Sequence, residues 1–111
     1  MLKTDLHTHA GTDMEHALLH TPKQLISRMA RSGYDAVSIT NHEKVTFSKD
    51  LRDYAAGKGI LLIPGIEKRI ENKEVIILNA GRELIRKIRT FADLERYKDE
   101  NIFVLAPHPY Y

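Results

Sequence analysis

Polar and apolar positions alternate along this chain in a way that sorts it into short elements. Thr4 to His9 alternates, so it reads as a half-buried strand. Thr21-Pro22-Lys23-Gln24 has the form of a helix start, with Thr21 as N-cap, Pro22 at the first helical position and Gln24 closing a capping box. Leu25, Ile26, Met29 and Ala30 then fall on one helical face, and Gly33 ends the helix. Ala36 to Thr40 is a β-branched strand, and Ser48 caps a second helix reaching about Ala56. Ile60 to Ile63 is continuously apolar, as in a strand covered on both faces. Val75 to Leu78 is a further strand that can pair with the one before it across a turn at Asn72-Lys73. Arg82 to Arg89 is helical, Thr90 and Asp93 form a second capping box for a helix to about Lys98, and Ile102 to Ala106 is the last strand. Strands alternating with helices predict βαβ units and a parallel sheet with helices outside it.

The chemistry sits where strands end. His7 and His9 close the first strand, Asn41-His42-Glu43 follow the second, Glu67 follows the third, and His108 follows the last. The C-terminal ends of parallel strands share one rim, where α/β folds build their sites. His-x-His alone is a short and common pattern. Four strand ends carrying imidazoles and a carboxylate form a far less common set, and they point to a metal centre. On a regular strand Asp5, His7 and His9 share a face, so Asp5 is expected to orient an imidazole from behind. Asp13, Glu15 and His16, in the loop after the first strand, are further possible ligands, and Lys68 and Arg69 are candidates for contact with substrate phosphate.

Composition narrows this picture. The chain has 111 residues, suited to one domain, and no cysteine, so any metal must be held by imidazole and carboxylate, a donor set suited to zinc, manganese or iron. A net charge of +2 argues against nucleic-acid binding driven by bulk charge. No apolar run is long enough to span a membrane, and the cytoplasm is the default location.

The motifs Asp5-Leu6-His7-Thr8-His9, Thr40-Asn41-His42-Glu43, Pro64-Gly65-Ile66-Glu67 and Ala106-Pro107-His108-Pro109 resemble, in order, the first four motifs of the PHP (polymerase and histidinol phosphatase) family. The resemblance implies a distorted seven-stranded β/α barrel that holds two or three divalent ions at its rim and hydrolyses phosphate esters with metal-activated water. His7 and His9 would hold the first ion, Glu67 would bridge the first and second, and His108 would serve the second. His42 would serve a third, with help from Asp13 and His16. A small phosphorylated molecule is the implied substrate.

Three departures accompany the resemblance. Asn41 stands where the family usually has aspartate. Asn72, Lys73 and Glu74 stand where it often has a histidine, so the second ion is expected to lose a ligand. The family's later motifs have no counterpart. The expected fold is therefore a partial, half barrel of a single domain covering residues 1–111, a fragment or a cut-down form, and its exposed strand edges favour self-association. The rival function is a catalytically incomplete module that binds metal or supports a partner protein.

Overall fold

The computed structural model describes residues 1–11 and 20–107. Its elements run β1 (Thr4–Thr8), α1 (Pro22–Arg31), β2 (Ala36–Ile39), α2 (Lys49–Gly57), β3 (Leu61–Ile70), β4 (Lys73–Leu78), α3 (Arg82–Lys87), α4 (Phe91–Tyr97) and β5 (Phe103–Leu105). The expected caps are in place. Thr21 Oγ1 accepts from the Gln24 amide while Gln24 returns a bond to the Thr21 amide, Ser48 accepts from Leu51, and Thr90 and Asp93 make the second reciprocal box.

The strands form one five-stranded sheet in the order β1-β2-β3-β4-β5. β1, β2 and β3 are parallel, which long helical crossovers permit. β4 returns antiparallel to β3, and β5 runs antiparallel to β4 and hence in the direction of β3. The parallel-sheet expectation holds for β1 to β3, and the expected pairing of β4 with β3 across a tight hairpin makes the whole sheet mixed. The hairpin turn is at Glu71-Asn72, one residue earlier than expected, and both residues have positive φ, 49° and 69°. Two such residues in succession give the turn whose twist matches paired strands. The architecture is mixed α/β, a curled half-barrel sheet with helices on one face.

That face is closed by two apolar clusters. Leu25, Ile26 and Met29 of α1 and Ala55 of α2 pack on Val37, Ile39 and Leu62. Ile85, Ile88 and Leu94 pack on Ile66, Ile70, Val75 and Ile77 of the hairpin. Arg82 ties the β2–α2 loop to α3 by donating to the Val45 and Phe47 carbonyls.

Among the described residues nothing covers the other face. A hollow of about 410 Å³ there is lined by Leu6, Leu61, Ile63, Leu78, Phe103 and Leu105 among others. Leu61 is 62% exposed and Phe103 63%. Two-residue steps along β3 lead from Leu61 and Ile63 through Gly65 to Glu67. Gly65 is required there: a Cβ would lie 2.2 Å from Ser38 Oγ and 2.9 Å from Thr40 Cγ2. Among the described residues no helix is long and apolar enough to cross a membrane.

Candidate metal centre

Glu67 is the hub. It does not follow β3, as expected, but lies within it, three residues before the strand ends. Pro64 and Gly65 broke the apolar run in the sequence, yet the backbone passes through them still paired to β2 on one side and β4 on the other. An isolated bridge joins His42 to Glu67, with the Glu67 amide donating to the Asn41 carbonyl (3.0 Å) and the Glu43 amide to the Glu67 carbonyl (2.9 Å). The β2 exit is thereby stitched to β3 at the level of the Glu67 side chain.

Glu67 is 2% exposed. Its Oε1 stands 2.9 Å from His7 Nε2, 3.2 Å from His9 Nε2 and 3.4 Å from His42 Nε2. The His9 and His42 rings are stacked at 4.8 Å, and His7 meets His9 edge-on at 5.3 Å. Two ligand atoms each about 2.0–2.1 Å from one ion lie roughly 2.8–3.4 Å apart for octahedral to tetrahedral angles. The observed separations match that spacing. The ligand atoms form two groups that share Glu67: His7, His9 and Glu67, and His42, Glu67 and Glu74. The residues therefore fit a divalent cation.

How β1 presents its histidines differs from the expectation. Pairing with β2 runs Asp5 to Val37 and then Thr8 to Ile39, three steps against two. An extra residue of this kind breaks the alternation of faces. Leu6 accordingly joins the apolar hollow while His7 and His9 both reach Glu67. Asp5, expected behind an imidazole, instead accepts from the His7 main-chain amide through Oδ1 (3.2 Å) and shapes the slip itself.

Asn41 is 1% exposed and clamps the segment that follows His9. Its Oδ1 accepts from the Ala10 amide (3.1 Å), and its Nδ2 donates to the Ala10 carbonyl (2.8 Å) and to Thr46 Oγ1 (2.8 Å). Only an amide both donates and accepts in this way, which gives the departure from aspartate a physical reason.

Two residues escaped the sequence reading. Glu74 stands in the stretch expected to lack the histidine ligand, and its Oε1 lies 3.8 Å from His42 Nε2. The hairpin register sets Glu67 opposite Ile76 and Arg69 opposite Glu74, so Glu67, Arg69 and Glu74 share the open face. His20 donates from Nε2 to the His9 carbonyl (3.0 Å), and its own carbonyl accepts from the Gly11 amide (2.7 Å), which ties the residues after β1 to the start of α1. The signal for Glu74 was its parity with Glu67 across a two-residue turn; His20 had none.

Of the remaining candidates, Arg69 lies near the cluster, its guanidinium 3.4 Å from Glu74 Oε1. Its amide donates to Glu43 Oε2 (3.0 Å). Lys68 stands opposite Val75, a core residue on the helix-covered face, so its backbone position belongs to the side away from Glu67. Both are within β3 rather than in a loop. Asp13, His16 and His108 lie outside the described residues.

Comparison with known proteins adds a fold-level likeness. No family model matches the chain. An uncharacterized protein of Methanocaldococcus jannaschii, MJ1587, is 22% identical over 98% of this chain and 68% of its own length. An amidohydrolase from Chromobacterium violaceum, solved with bound sulfate and no metal, superposes with a TM-score of 0.57 at 23% identity, over 77% of this chain and 31% of that one. The chain thus spans just under a third of that structure, and at this identity the likeness is one of fold.

Proposed function

We propose that the chain is a metal-dependent phosphoesterase with its centre at His7, His9, His42 and Glu67. One observation carries this reading: a single buried carboxylate oxygen with three imidazole nitrogens arrayed 2.9–3.4 Å from it. Such convergence is costly to build and is the arrangement a divalent ion needs. The ordered resemblance to PHP motifs supports phosphate esters as the substrate class.

A bound divalent ion supplies Lewis acidity toward a phosphoryl oxygen and toward water. The chain's own residues do the rest. Glu67 offers carboxylate charge to the centre, and the stacked His9 and His42 rings bring their Nε2 atoms to 3.2 Å and 3.4 Å from its Oε1. Asn41, through Ala10, and His20, through the His9 carbonyl, fix the backbone that leaves His9. Arg69, half exposed on the same face, is placed to meet an anionic substrate.

The test is metal content and hydrolysis measured together. Purified chain is stripped, reloaded with zinc or manganese, and assayed against a panel of phosphomonoesters, phosphodiesters and small amides. Metal uptake with phosphoester turnover is expected, and His7→Ala or Glu67→Ala abolishes both while Arg86→Ala changes neither. Metal uptake unaffected by both rim substitutions overturns the site. Turnover of amides alone overturns the phosphoester assignment.

A further inference from the structure

The two ligand groups that share Glu67 differ in chemistry. His7, His9 and Glu67 present two nitrogens and one carboxylate; His42, Glu67 and Glu74 present one nitrogen and two carboxylates. Imidazole-rich sets suit zinc, whereas oxygen-rich sets suit manganese or magnesium. Glu74 is also the carboxylate that Arg69 touches, and it does so through the same atom, Oε1, that faces His42. The Arg69 guanidinium therefore sets a cation of the protein's own against that oxygen. The Arg69 side chain is 55% exposed and that of Glu74 only 9%, so the guanidinium lies on the solvent side of the carboxylate. The Arg69 backbone is itself held, by the bond from its amide to Glu43.

We infer that Glu74 completes a second, harder cation position with His42 and Glu67, and that Arg69 competes for it. This rests on the metal-centre reading above but goes beyond it. The first position fills with a zinc-like ion before the second is occupied. The second prefers manganese or magnesium, and its ion must share Glu74 with the guanidinium or displace it. Loading of the second ion is thus set by the balance between a divalent cation and an arginine of the protein's own β-hairpin.

The experiment is calorimetric titration of the metal-free chain, first with zinc to one equivalent and then with manganese, with metal counted by elemental analysis. The parent chain takes one zinc and then one manganese. Glu74→Gln, which keeps the shape and removes the charge, retains the zinc event and loses the manganese event. Arg69→Gln keeps both and tightens the manganese event by about two- to fivefold, the range expected for removing a competing, partly exposed ion pair. A gain of affinity does not arise from misfolding, so this second variant stays informative if Glu74→Gln is unstable. The inference is overturned if Glu74→Gln still takes both ions, if Arg69→Gln leaves manganese binding unchanged or weaker, or if the parent chain takes only one ion. In those cases an intact zinc event leaves the metal-centre reading standing. A parent chain that binds neither ion overturns both.

Discussion

Exchanging Asn41 for aspartate changes one atom and places it at the point where the site is held together. The amide nitrogen donates to the Ala10 carbonyl and to Thr46 Oγ1, both at 2.8 Å, in a place where Ala10 is fully buried and Asn41 is 1% exposed. In Asn41→Asp the Thr46 hydroxyl can rotate and donate to the new oxygen. The Ala10 carbonyl has no such remedy and faces a carboxylate. An unsatisfied buried carbonyl costs about 1–3 kcal/mol and the lost hydrogen bond about 1 kcal/mol more, so we expect a destabilisation of roughly 2–4 kcal/mol near neutral pH. With a urea slope of about 1–2 kcal/mol per molar, the unfolding midpoint falls by roughly 1–3 M. The loss is pH-dependent with a definite sign. Burial raises the introduced carboxyl above its ordinary value of about 3.9 in the folded state, and its protonated form can again donate to Ala10. The variant therefore recovers relative to the parent as pH falls through that raised value, and the gap is widest above it. Urea unfolding of both proteins at about pH 5 and about pH 7.5 measures the two gaps. A gap below roughly 0.5 kcal/mol at the higher pH, or one that does not narrow at the lower, refutes the clamp.

Further expectations follow from the same contacts. Gly65→Ala drives a methyl to 2.2 Å from Ser38 Oγ and is expected to cost about 1–3 kcal/mol in urea unfolding, with part of the loss recovered when Ser38→Ala is added. Ser38→Ala alone should be neutral or stabilising, because Ser38 Oγ is buried without a hydrogen-bond partner among the described residues; a clear destabilisation would show that the hydroxyl is satisfied. Thr21→Ala removes the side-chain half of the α1 capping box and should lower stability by about 1 kcal/mol on the same assay. The amide of Arg89, foremost, and the groups of Thr90 hold the Asp93 carboxyl below its ordinary value. Its contribution is therefore present above the ordinary carboxylate range and is lost as pH falls through the lowered value, so Asp93→Asn should flatten that part of the acid unfolding curve.

Much of the fold could be read residue by residue. The helix starts at Thr21, Ser48 and Thr90 were legible because a cap is a local bond between residues a few positions apart. His7, His9, His42 and Glu67 were legible as one set because parallel strands deliver their C-terminal residues to one rim whatever the details of the crossovers. What the chain alone determined was therefore local: which stretches are helix or strand, where they are capped, and which side chains carry imidazole or carboxylate.

Tertiary structure decided which of those side chains meet. The slip between Asp5 and Thr8 moved Leu6 into the apolar hollow and Asp5 onto the His7 amide, because strand phase depends on the neighbouring strand as well as on alternation. β3 runs through Pro64-Gly65 because β2 and β4 pair with it there, and the close approach of Ser38 favours glycine at 65, a contact absent from any local pattern. Asn41 reads as a lost charge until Ala10, far from it in sequence, lies against its amide. Glu74 reads only as part of a stretch without the expected histidine until the turn at Glu71-Asn72 sets the hairpin register. One residue more or fewer in that turn would send its carboxylate to the opposite face, since side chains on a strand alternate and only pairing chooses the side.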